Sequence, residues 1–118
     1  MSMGKKIVDV QFYKSDTGNI PVREWLKKLP PKDRKSIGDD IRTVEFGWPL
    51  GMPLVRKIDM GLWEVRSNLP NNRISRVLFT VYSDMIILLH AFIKKTSKTS
   101  RNDIGIAKQR MSKFERRK

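Results

Sequence analysis

Leu62-Trp63-Glu64-Val65-Arg66, Arg73-Ile74-Ser75-Arg76-Val77-Leu78-Phe79 and Ile86-Ile87-Leu88-Leu89-His90-Ala91-Phe92-Ile93-Lys94-Lys95-Thr96 decide how this chain folds. Each run mixes β-branched, aromatic and aliphatic residues at the two-residue period of a strand, and each carries cations inside the pattern. Working outward, the period holds over residues 54–58, 62–69, 73–82 and 85–94. The connections Asp59-Met60-Gly61, Pro70-Asn71-Asn72 and Ser83-Asp84 are so short that consecutive strands must run antiparallel.

Upstream, Ile7, Val8, Val10, Phe12 and Tyr13 form a first strand, stopped by Ser15, Asp16, Gly18 and Asn19, which favour turns. Pro21 suits the first turn of a helix that buries Val22, Trp25, Leu26 and Leu29. Pro30-Pro31 ends that helix and begins another, which lasts until Gly47 and Pro49. Its stripe is Ile37, Ile41 and Val44, while Lys32, Asp33, Arg34, Asp39, Asp40 and Arg42 are assigned to solvent. Downstream, Ser100 or Asn102 caps a third helix with Ile104, Ala107, Met111 and Phe114 at helical spacing. The order β-α-α-β-β-β-β-α predicts an α+β fold, one domain over residues 1–118, with the helices on one face of a mostly antiparallel sheet. Residues 1–4 are given no role.

Charge narrows the function. The 25 Lys+Arg against 12 Asp+Glu give +13, a self-repelling balance that predicts a polyanionic partner, nucleic acid first, or an acidic protein cap. Residues 94–118 hold ten Lys/Arg and two Asp/Glu, a net of +8 that suits a nucleic-acid backbone as well as a solvated helix face. No window approaches the roughly 18 uncharged apolar residues of a spanning helix, and no signal-peptide core is visible, so no membrane role and a cytoplasmic location are expected. Zero cysteines exclude a disulfide framework, zinc knuckles and thiol catalysis, and one histidine leaves no metal cluster of familiar spacing. Chemistry without metal or cofactor is expected.

Strand parity puts Glu64, Arg66 and Asn68 on the face opposite Trp63 and Val65, and Arg76 with Leu78 and Thr80 opposite Val77 and Phe79. Cross-strand pairing can then bring Arg66 beside Arg76 on an open surface, where the two repel unless an anion joins them. Guanidinium forks match phosphate geometry, so the pair suits a clamp on a scissile phosphate. Parity also separates His90, Phe92 and Lys94 from Ala91, Ile93 and Lys95, so only one lysine of the pair reaches a given cleft. A lysine near arginines becomes easier to deprotonate and suits general acid or base work. Each cation also has a plainer reading as a solvated edge charge, His90 as a hydrogen-bonded core residue, and Trp25, Trp48 and Trp63 as core.

Taken in order, Gly61-Leu62-Trp63-Glu64-Val65-Arg66, Ser75-Arg76-Val77-Leu78-Phe79, Leu88-Leu89-His90-Ala91-Phe92-Ile93-Lys94-Lys95-Thr96 and Ala107 before Arg110 resemble the phage-derived HigB-like branch of the RelE/ParE toxin superfamily. The resemblance implies a small ribonuclease-like fold and the toxin of a type II toxin–antitoxin pair. Such a toxin cleaves messenger RNA, usually on the ribosome, and is silenced by an antitoxin, commonly of helix-turn-helix type. It carries Arg76 onto the phosphate-binding arginine, Arg66 onto the basic position ending the preceding strand, and Lys95 onto a basic residue after the final strand. Lys94 and His90 are the further candidates for acid or base, and Arg56, Lys57, Arg73, Lys98 and Arg101 for contacts to RNA. The chain departs from the pattern at Glu64, where a lysine is common, and in a last helix without Tyr. Two other readings are a ParE-like gyrase poison and a non-catalytic basic nucleic-acid binder. On this reading Arg76→Ala is expected to abolish growth arrest without unfolding the chain.

Overall fold

A computed structural model describes residues 5–94 and 98–117. The elements are β1 (Asp9–Phe12), α1 (Pro21–Lys27), α2 (Pro31–Gly47), β2 (Val55–Asp59), β3 (Leu62–Leu69), β4 (Arg73–Tyr82), β5 (Met85–Lys94) and α3 (Arg101–Arg116). Strands β2 to β5 form an antiparallel meander, and β1 returns to the far edge, parallel to β5, in the order β1-β5-β4-β3-β2. The tight links work because their residues tolerate left-handed backbone: Asn71 and Asn72 have φ of 65° and 59°, and Gly61 has 71°.

Contrary to the expectation from sequence, the helices do not share one face of the sheet. Val22 of α1 and Ile37, Ile41 and Val44 of α2 pack on Val65, Leu69, Val77, Phe79, Ile86 and Leu88. Ala107 and Phe114 of α3, with Ile104 and Met111 beside them, cover Leu62, Leu78, Ile87 and Leu89 on the other side. The cause lies in β5. Ile86-Ile87-Leu88-Leu89 is an unbroken apolar run, so both faces of the strand must be shielded, as in buried sheets generally. Burying one such side chain contributes about 1.5–3 kcal/mol, which an open face would forfeit. The three tryptophans do belong to the α2-side core, where Trp48 meets Trp63 and Phe79 edge-on at centroid distances of 5.1 and 5.5 Å.

A β-bulge shapes the other face. Phe79 pairs with Leu88 but Leu78 pairs with His90, leaving Leu89 as the extra residue. Beyond the bulge the parity of β5 is reversed relative to Ile86 and Leu88. His90, Phe92 and Lys94 thereby lie opposite Leu78, Arg76 and Ile74, on the α3 side.

Asp33, expected in solvent, is instead buried in the first turn of α2, where Arg73 grips it with bonds of 2.8 Å (Nη1 to Oδ2) and 3.1 Å (Nη2 to Oδ1). Arg73 pairs in register with core Leu69, so it points to the α2 side and ties that helix to the β3–β4 turn. Asp33→Ala should therefore cost about 1.5–3 kcal/mol, the worth of hydrogen bonds to a charged partner. Urea denaturation checks this, and an unchanged midpoint would contradict it.

Candidate active site

Antiparallel register assembles the site in rows across the α3 face. Arg56 of β2 opposes Glu64, Glu64 opposes Leu78, and Leu78 opposes His90. In the next row Arg66 opposes Arg76, which opposes Phe92; beyond it Asn68 opposes Ile74, which opposes Lys94. Three arginines, a lysine, a histidine and a phenylalanine thus converge from strands far apart in sequence.

The centre of this surface is closed. Arg76 is 0% exposed, so its guanidinium does not stand on the open surface expected from parity. Its Nε lies 3.8 Å from Oε1 of Glu64, itself fully buried, and Nη1 donates to the Lys98 carbonyl at 3.3 Å. The Thr99 hydroxyl donates to the same Glu64 oxygen at 2.5 Å, so residues 98 and 99 roof the pair. Burial pulls the Arg76 guanidinium below its ordinary value, Glu64 pulls it back, and the like charges of Arg66 and Arg56 lower it again. The anion that two adjacent arginines require is built in. Arg66 and Arg56 are half-buried, and neither makes an ion pair among the described residues.

A second carboxylate gathers the β5 groups. Asp103, in the first turn of α3, receives Lys94 Nζ at 2.8 Å and the Ser100 hydroxyl at 2.5 Å on Oδ2, and His90 Nε2 at 2.8 Å on Oδ1. Ser100 caps the helix by accepting from the Asp103 backbone N–H at 3.1 Å. Burial works against ionisation of Asp103, but the bonds from Lys94, Ser100 and His90 outweigh it and hold the carboxyl down at about 2. The other ring nitrogen of His90, Nδ1, faces Nη1 of Arg110 at 3.5 Å, and that nitrogen also donates to the Leu89 carbonyl at 2.8 Å.

Of the residues singled out from sequence, the fold joins Arg66, Arg76, His90, Lys94 and Arg56 on one face. Lys95 lies outside the described residues. Lys98 is exposed and, with Arg56, Lys57, Thr99 and Ile104, lines a cavity of about 170 Å³. Lys57 pairs in register with Trp63 rather than with the arginine rows, and Arg101 is exposed on the first turn of α3. Arg73 is removed to the other face by Asp33. The sequence gives Asp103 no role, offers Arg110 only as part of the resemblance, and marks Glu64 only as a departure from the family pattern. For Asp103 a signal existed, since Ser100 and Asp103 have the spacing of a capping box. Among the described residues no three His, Cys, Asp or Glu side chains gather where they could hold a metal.

Residues 24–112 match the family model described as Phage derived protein Gp49-like (DUF891), and the chain belongs to that family. The family is associated with the toxins of toxin–antitoxin systems. No curated protein matches the chain at a significant level. No helix among the described residues is long and apolar enough to cross a membrane.

Two outcomes follow from the carboxylates. Removing one partner of a buried ion pair costs about 3–5 kcal/mol, so Arg76→Ala should destabilise the fold rather than leave it intact as the sequence alone suggested. Thermal unfolding should show a large fall in Tm, partly restored in the Glu64→Gln, Arg76→Met double variant; an unchanged Tm for Arg76→Ala contradicts the pairing. Because the carboxyl of Asp103 is depressed, its contribution to stability is complete above about pH 4 and is lost as pH falls through about 2. Asp103→Asn should flatten that part of the stability curve, and parallel curves would exclude the effect.

Proposed function

We propose that the chain is the toxin of a type II toxin–antitoxin pair, of HigB-like kind, and acts as an endoribonuclease on messenger RNA held by the ribosome. The observation that carries this reading is the register pairing of Arg66 with Arg76, with Lys94 on the same face two strands from Arg66. A surface with that density of guanidinium and ammonium groups is complementary to the phosphorane formed when RNA attacks itself. In the reaction a base takes the proton of a ribose 2′-OH, the 2′-oxygen bonds to phosphorus, and the P–O5′ bond breaks as an acid protonates the 5′-oxygen. The products are a 2′,3′-cyclic phosphate and a 5′-hydroxyl. Arg66, the accessible arginine of the pair, contacts the phosphate directly, while Arg76, paired with Glu64, supports it from beneath. Lys94 serves as the acid, and Lys95 remains the candidate for the base. No step calls for a metal ion. Exposed Lys98 and Arg101 with half-buried Arg56 extend the positive track along the RNA. An antitoxin that silences the protein would bring negative charge to this face.

One observation favours a second reading. Full burial of Arg76 under Thr99 and Lys98 leaves fewer cations in contact with RNA than a clamp of two arginines, which suits a non-catalytic basic RNA binder.

Induction in a bacterial host followed by mapping of RNA 5′ ends separates the two. Clustered in-frame cuts within codons are expected, and Arg66→Ala should reduce them about a hundredfold to a thousandfold, the usual effect of losing one transition-state donor. Growth arrest without new 5′ ends would refute the nuclease and leave the binder.

A further inference from the structure

We propose that Asp103 is a positioning residue of this face: its carboxylate fixes Lys94 and His90 so that the Lys94 ammonium meets a phosphodiester lying against Arg66. The inference rests on the endoribonuclease reading and adds to it a role for a residue of α3.

Three features point this way. First, Asp103 holds two β5 side chains at once, one on each oxygen, each at 2.8 Å. Its own side chain is only 10% exposed, so it orients other groups without meeting the substrate, which a carboxylate at the surface would repel. Second, Lys94 spends one of three donors on Asp103, packs its ammonium 5.0 Å from the centre of the Phe92 ring, and keeps 37% of its side chain exposed. A flexible stem is thereby held in place before RNA arrives, with donors left over for it.

Third, the single histidine is excluded as the proton-transfer group. An ionised carboxylate only accepts and a guanidinium only donates. With Asp103 at Nε2 and Arg110 at Nδ1, the tautomer that satisfies both carries its proton on Nε2. Both ring nitrogens are engaged inside the protein, so His90 braces Asp103 from the side opposite Lys94. Lys94 then delivers its proton to the departing 5′-oxygen and regains one from water.

The full chain tests this through two independent readouts. A long-range proton–nitrogen NMR spectrum of the one histidine should show the Nε2–H tautomer in the native protein and a mixture in Asp103→Asn. Cleavage of ribosome-bound message by folded Asp103→Asn should lose about tenfold to a hundredfold in kcat with KM changed by less than about threefold, the scale typical of an orienting partner. Asp33→Asn, which breaks the pair on the opposite face, controls for stability and should move neither readout. The inference is overturned if Asp103→Asn keeps native kcat, or loses no more than its unfolded fraction explains, or leaves the histidine tautomer unchanged. A native protein that leaves message intact in the same assay instead overturns the nuclease reading, and this inference with it.

Discussion

The structure turns on how a charge is kept inside a sheet. Arg76 sits in the middle of the α3 face with no exposure, a position that an uncompensated guanidinium could not hold. Glu64 on the neighbouring strand supplies the counter-charge, and Thr99 secures Glu64 to the chain that leads into α3. This pair also guards the register. A slip of one residue in β4 would carry Arg76 away from Glu64 and into the α2-side core, where Val77 and Phe79 are 0% exposed. Because Glu64 neutralises only one of the three arginines in the two rows, Arg56 and Arg66 leave the rim positive around a neutral centre.

The bulge at Leu89 matters almost as much. Without it, strict alternation from Ile86 and Leu88 would send His90, Phe92 and Lys94 toward the hydrophobic side, away from the arginines. One extra residue turns the end of the strand over, and Asp103 then draws it against the first turn of α3. The helix, its Ser100 cap and the β5 side chains His90 and Lys94 thus form one polar joint between sheet and helix.

Much of this was legible in the chain. The limits of β3, β4 and β5 coincide with the two-residue period, because turn residues interrupt it sharply on both sides, and parity alone set Arg66 and Arg76 on one face. What was not legible depends on register between distant segments. Glu64 and Thr99 are 35 residues apart, and Asp33 and Arg73 are 40 apart, so no local pattern marks either pair. The bulge leaves no signature in residue type. The shielding of both faces was written in Ile86-Ile87-Leu88-Leu89, a run that alternation on a half-open sheet cannot explain.

Membership in the Gp49-like family places the chain among proteins associated with toxin–antitoxin toxins, and the arginine rows are the part of the fold on which the proposed function rests. The chemistry proposed for those rows is self-cleavage of RNA driven by fixed positive charge. Mass spectrometry of the fragment ends, from message cut by the purified protein on ribosomes before and after brief EDTA treatment of the protein, tests it most directly. Fragments ending in a 2′,3′-cyclic phosphate, with a 5′-hydroxyl on the next, are the result expected in both cases. Fragments ending in a 3′-hydroxyl with a 5′-phosphate on the next, or cutting abolished by the chelator, would contradict it.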